Sequence, residues 1–315
     1  MREENVWGYI KRTIRESGML GRLVAINVGV SLLLGVLYFI GALFQIEFID
    51  SATGLKYQLG DMVAQLLAAP VDPSELLYRP WSLVTQLFTH GGILHLLFNM
   101  IMLYFSGRMF VHFFGEKRLL SVYIVGGIFA YLVHVLAFYT FPIYAGQGAG
   151  YVLGASGAIY AIFTAIVVHR PNLKVQPMFI PINIPIFVVF ILFILGDFRG
   201  ILSNDPADNT AHFAHIGGAI FGWISVININ SQKNFMNRLE RWLSKFKWPS
   251  FKRKPKMKVH ESGSARNMTD DEYNAASKAH QDRIDAILDK ISKKGYDGLT
   301  KEEKEILFNE SKRKQ

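Results

Sequence analysis

The chain has 315 residues, half of them hydrophobic, with a positive mean hydropathy and a formal charge of +9. At this length the balance points away from a soluble enzyme and towards a polytopic, all-α membrane protein. Cysteine is absent, which excludes disulfides, thiolate catalysis and cysteine-based zinc or iron–sulfur sites; the basic charge gathers outside the apolar runs, mostly after residue 232, as topology and lipid headgroups demand and nucleic-acid binding does not.

Residues 1–22 are polar and basic and lack the short apolar run and cleavage site of a signal peptide. They read as a cytoplasmic segment. The run 23–44 then exceeds the roughly 20 apolar residues that a membrane span needs. Residues 45–90 hold Pro70, Pro73 and Pro80, and Glu47, Asp50, Asp61, Asp72 and Glu75 against Lys56 and Arg79. That length and composition predict a structured outer loop dipping into the interface. Five more spans are predicted at 93–110, 119–139, 152–168, 178–195 and 213–229, as helices because backbone polar groups have no water partner in lipid. Pro181 and Pro185 are expected to bend the fifth.

The domain reading is therefore a bundle over 23–230. Residues 231–268 form a basic juxtamembrane segment and linker, and 269–315 a small cytoplasmic helical hairpin with Thr300-Lys-Glu-Glu303 as one capping box. Within 233–258, Glu240 is the only acid among ten basic residues, and Phe235, Leu239, Trp242 and Leu243 recur at helical spacing. That pattern predicts an amphipathic helix on anionic lipid. With the N-terminus inside, Lys117, Arg118, Arg170 and Lys174 also fall inside, and the outer connections 140–150 and 196–211 carry only Arg199. Both termini are then cytoplasmic.

Candidate chemistry lies at the outer ends of three spans. Ser156 stands in Gly154-Ala-Ser-Gly157 at the head of the fourth. His215 opens the sixth, ahead of the G-x-x-x-G pair Gly218 and Gly222. Close packing of these glycine faces brings the imidazole to the hydroxyl, and a hydrogen-bonded base is what makes serine a nucleophile. Alone, Ser156 reads as a helix serine bonded to its own backbone and His215 as a packing histidine; their matching depth favours the pair. His212 is a rival base. On the second span, His95 and Asn99 share a face at i, i+4 and, with the Ser156 amide, could donate to an oxyanion; they also read as a helix-pairing couple. No H-E-x-x-H motif supports a metal site, and no cofactor is expected.

Taken together, Arg79-Pro-Trp81, His90, His95-x-x-x-Asn99, Gly154-Ala-Ser-Gly157 and Ala214-His-x-x-Gly218-x-x-x-Gly222 resemble the motifs of the rhomboid intramembrane serine proteases, in order, over about 20–230. The resemblance implies a six-helix bundle in the cell membrane, of bacterial type, with a cavity open to the outer side. It implies a Ser156–His215 dyad without an acid, oxyanion donors His95, Asn99 and Ser156, and Tyr160 stacked on the histidine. It implies transmembrane segments of membrane proteins as substrates, with span five as a lateral gate. The first-loop Trp-Arg pair common in the family appears here as Arg79-Pro-Trp81-Ser82, and Val111 replaces an acidic residue four before Gly115. A non-cutting binder of transmembrane clients is the alternative, disfavoured because serine and histidine are both kept. A transporter is disfavoured by the lack of an internal repeat and of charged pathway residues. The partner of the hairpin is not legible.

Overall fold

A computed structural model describes residues 17–49, 56–144, 148, 150–176, 181–203, 208, 210–243 and 269–313. They fall into two compact units divided after Lys247. In the first unit, six helices form a bundle: α1 (Gly18–Phe44), α5 (Ile93–Phe114), α6 (Glu116–Thr140), α7 (Ser156–His169), α8 (Ile186–Ser203) and α9 (His212–Val226). Between α1 and α5 the loop carries a hairpin of β1 (Glu47–Ile49) and β2 (Lys56–Gln58). It continues through α2 (Leu59–Leu67), the bridge β3 (Ala69–Pro70), α3 (Pro73–Tyr78) and α4 (Ser82–Thr85).

Four of the bundle helices (α1, α5, α6 and α8) are long and apolar enough to cross a membrane. The chain is a multi-pass membrane protein. The other two are short. α7 has 14 residues, a length of roughly 21 Å against a hydrocarbon layer of about 30 Å. The fourth span thus begins at Ser156 and not at 152. The residues just before it are extended: β4 (Tyr151–Val152) pairs antiparallel with β3, Ala69 opposite Val152. Gly154 N–H donates to Gln86 O at 2.8 Å and Val71 N–H to Gly150 O at 2.9 Å. These bonds satisfy irregular backbone at depth, the condition for its presence there.

The fifth span is also displaced. α8 runs over Ile186–Ser203, eight residues beyond the expected start; position 178 lies outside the described residues. The bridge between β5 (Lys174–Val175) and β6 (Ile184–Pro185) takes up the approach. Pro185 thus precedes the helix and does not bend it.

α7 is the centre. Ten of its residues are buried, enclosed by α5, α6 and α9. A Cβ on Gly218 would overlap the Gly157 carbonyl oxygen, and one on Gly222 the Ala161 carbonyl oxygen. The G-x-x-x-G face therefore sets backbone against backbone. α8 is the periphery: only Ile186 and Asp197 of its 18 residues are buried. α1 is fixed by a buried polar chain. Asn27 Nδ2 donates to the Tyr123 hydroxyl at 3.0 Å, and that hydroxyl donates to Leu87 O at 2.9 Å.

The altered first-loop motif is bonded into the loop. Arg79 Nη1 donates to Gln65 O at 3.2 Å, and the guanidinium pairs with Glu75 and lies 5.3 Å from the Tyr151 ring centre. Trp81 Nε1 donates to Leu66 O at 3.0 Å. Arg79 and Trp81 thereby fasten α2 and α3 to the strand that leads to Ser156. Val111 costs the turn nothing visible: Gly115, at φ +83°, accepts the end of α5 and starts α6.

The basic segment departs from expectation. α10 (Phe235–Leu243) is docked on the bundle and does not simply lie on lipid. Met236 is fully buried and Leu239 packs on the core, while Phe235 and Trp242 stay half exposed. Arg118, counted as a topology charge in the sequence, donates to Asn234 Oδ1 at 3.1 Å and Asn237 Oδ1 at 2.8 Å. Residues 244–268, with most of the expected basic face, lie outside the described residues.

The second unit holds two helices, α11 (Asp270–Lys294) and α12 (Lys301–Arg313). Gly295 at φ +70° turns the chain. Thr300 N–H donates to Glu303 Oε2 at 2.8 Å, closing the capping box, and Lys290 pairs with Glu303 at 2.8 Å.

Two outcomes test this packing. Gly222→Leu sets a side chain against backbone that cannot retreat, so its cost should reach the upper end of the about 1–3 kcal/mol of overpacking. It should lower the thermal midpoint in detergent, and an unchanged midpoint would show that α7 and α9 are further apart. Arg118→Ala removes charge-assisted bonds of about 1.5–3 kcal/mol each. It should speed hydrogen exchange of the amides of α10, whereas unchanged protection would show that Met236 alone seats the helix.

Candidate active site

Ser156 is the first residue of α7, after an Ala155 N-cap. Its amide is therefore one of the helix-start donors without an intrahelical acceptor. The sharp entry is made by Gly154 at φ +119°, where a Cβ would also lie 2.8 Å from His95 Cε1. Glycine here permits both the turn and the approach of His95.

From α9, His215 Nε2 lies 2.8 Å from Ser156 Oγ. The ring is held from one face by Tyr160, one turn along α7, stacked at 4.4 Å between centres and 9° between planes. Gly157 and Gly218 make this possible, because the close α7–α9 approach sets the depth of both side chains. His212, the rival base, faces away from Ser156. Its Nδ1 meets Asp197 Oδ1 at 2.9 Å and its Nε2 meets Asp208 Oδ2 at 3.1 Å.

The resemblance implies a histidine without an acid, and in the structure α8 brings a carboxylate to that histidine. Asp197, 4% exposed, places Oδ1 2.6 Å from His215 Nδ1. The Tyr160 hydroxyl donates to its Oδ2 at 2.5 Å. Ending span five at 195 assigned this aspartate to an outer connection; the helix continues to Ser203 and takes it inside. A carboxylate bordering an apolar run is an intramembrane candidate by cost alone, and that signal was present in Phe193-Ile-Leu-Gly-Asp197.

His95 and Asn99 lie across a cavity of about 780 Å³ that is also lined by Gly154, Ser156, Tyr160 and His215. Asn99 Nδ2 donates one N–H to His95 O at 2.8 Å, which leaves its second N–H for another acceptor. His90 packs edge-on against His95 with ring centres 5.2 Å apart. Burial, with the charge of His95 beside it, lowers the His90 pKa to about 4, so it supports His95 as a neutral ring. The Asp197, His212 and His215 ligand atoms fall within 4.8 Å of one another. Both imidazoles already use Nδ1 on the carboxylate, so hydrogen bonds account for the cluster.

This assembly is a hydroxyl, a base in contact with it, and donors across a void. It is suited to attack on a carbonyl carbon with proton transfer at the serine oxygen.

Comparison with known proteins agrees with the resemblance. Residues 78–232 match the Rhomboid domain, and residues 268–313 match a family of unknown function. Among relatives, RHOMBOID-like protein 12, mitochondrial, of Arabidopsis thaliana is 35% identical over 45% of this chain and 44% of its own length. Presenilin-associated rhomboid-like protein, mitochondrial, of Homo sapiens is 28% identical over 47% and 37%. Presenilin-associated rhomboid-like protein A, mitochondrial, of Danio rerio is 28% identical over 44% and 35%. The match spans less than half the length of each, and all three are eukaryotic and mitochondrial by name, so they lend no support to a bacterial type. The domain match, its motifs and these relatives agree: over residues 78–232 the chain carries a domain of the rhomboid family.

Proposed function

We propose that this chain is an intramembrane serine endopeptidase that cuts transmembrane segments of other membrane proteins, with Ser156 as nucleophile and His215 as base. The observation that carries the reading is the 2.8 Å contact of Ser156 Oγ with His215 Nε2, made inside a membrane-embedded bundle at a cavity faced by His95 and Asn99.

The reaction follows from the positions. As Ser156 Oγ bonds to the scissile carbonyl carbon, its proton passes to His215 Nε2. The carbonyl oxygen becomes an oxyanion, met by the Ser156 amide, the free N–H of Asn99 and the His95 ring, which are already in place. Collapse breaks the C–N bond, and the imidazolium returns its proton to the leaving amine. Water then attacks the acyl-serine, giving its proton to Nε2, and Ser156 regains a proton as the acid product leaves. Water reaches the site through the cavity, since the irregular backbone before Ser156 already lines it.

The Lys and Arg distribution supports an orientation in which the Ser156 end of α7 faces the outer side and both termini face the cytoplasm. We place the catalytic unit in the bundle of 23–230, with the 231–268 segment and the 269–315 hairpin outside it.

Reconstituted into vesicles with a transmembrane substrate, the wild type should release two fragments, and Ser156→Ala and His215→Ala none. Cleavage by folded Ser156→Ala would remove Ser156 as nucleophile; no cleavage of a panel of substrates by the wild type would favour a client binder. Asn99→Ala should lower kcat by about 10²–10³ with KM little changed, the loss for one oxyanion donor. An unchanged kcat would remove Asn99 from the oxyanion site.

A further inference from the structure

We infer that Asp197 is the positioning acid of this site, so that the working unit is Ser156, His215 and Asp197. The inference rests on the Ser156–His215 reading above. Asp197 touches neither the reacting atoms nor the cavity; it acts through His215.

Three features carry it. The carboxylate is buried on the helix that buries almost nothing else. A membrane-buried carboxylate is retained only where its contacts offset its cost. Its contacts converge on the base: Tyr160 at 2.5 Å, His215 at 2.6 Å and His212 at 2.9 Å. An acceptor at Nδ1 fixes the proton there, and the neutral ring then presents a bare Nε2 to Ser156 Oγ. When Nε2 takes the serine proton, the positive ring forms with a carboxylate already in place.

Tyr160 has two tasks in this arrangement. Its ring stacks on His215 while its hydroxyl holds Asp197 Oδ2, so one residue of α7 sets the plane of the base and steadies the acid that sets its rotation. His212 meets the same Oδ1 as His215, and its other nitrogen faces Asp208. The acid comes from α8 and the base from α9. The base is therefore oriented only while α8 is seated, although α8 is the least enclosed helix of the bundle.

The test is steady-state cleavage by full-length Asp197→Asn, Asp197→Glu and Tyr160→Phe in vesicles, each normalised to folded protein. Asp197→Asn preserves shape but offers His215 an amide. Its kcat should fall at least tenfold, within the roughly 10⁴-fold that the same change causes in a serine-protease triad, with KM within about twofold of wild type. Asp197→Glu should recover part of the lost kcat because it restores a carboxylate, and Tyr160→Phe should lose less than Asp197→Asn because the ring stack remains. Wild-type kcat in Asp197→Asn, or equal loss in Asn and Glu variants of wild-type thermal stability, would overturn the acid. Should Asp197→Asn fail to fold, Asp197→Ser and Asp197→Ala decide: wild-type kcat in a folded variant that lacks the carboxylate would overturn it. An active His215→Ala would instead overturn the base reading on which it stands.

Discussion

The Gly218 and Gly222 face of α9 lies directly on the carbonyl oxygens of Gly157 and Ala161 in α7, and the rest of the site hangs from that seam. Lipid supplies little hydrophobic drive between helices, so close backbone packing has to hold them together. The seam also fixes a distance. A histidine three residues before Gly218 reaches the serine one residue before Gly157 only if the two backbones touch. A larger residue at the seam would separate the helices and open the 2.8 Å contact of His215 with Ser156.

Around that seam, polar groups taken into the bundle are bonded in ways that also shape the site. The extended residues before Ser156 expose backbone groups at depth, and the Arg79 and Trp81 loop bonds fasten the elements that satisfy them. The same segment delivers Gly154, whose missing side chain gives room to His95. Shortening α7 to 14 residues leaves its first amides without partners at the point where an oxyanion would form. The cavity and the unpaired helix-start amides are thus one consequence of starting the helix at Ser156.

Much of this was legible in the sequence. Ser156, Tyr160, His95, Asn99 and His215 follow helical spacing from glycine landmarks, and spacing is preserved by folding. Helix limits were less legible, because apolar runs record burial in lipid and not where hydrogen bonding begins. That is why 152–155 was drawn as helix and 196–203 was not. The second error hid Asp197, since an acid assigned to a loop raises no question of cost. Arg118 and Met236 were missed for a related reason. A charge at the end of a span marks topology in the sequence, although Arg118 also bonds Asn237 where α10 docks, and an apolar stripe suits lipid and protein alike.

The central claim is that Ser156 is activated by His215. The most direct measurement is intact mass after treating the purified chain with a fluorophosphonate, which reports an activated serine without any substrate. The account predicts one adduct on the wild type, carried by Ser156, and none on His215→Ala. Labelling of His215→Ala at the wild-type rate, or no adduct on folded wild type in lipid vesicles, would contradict it.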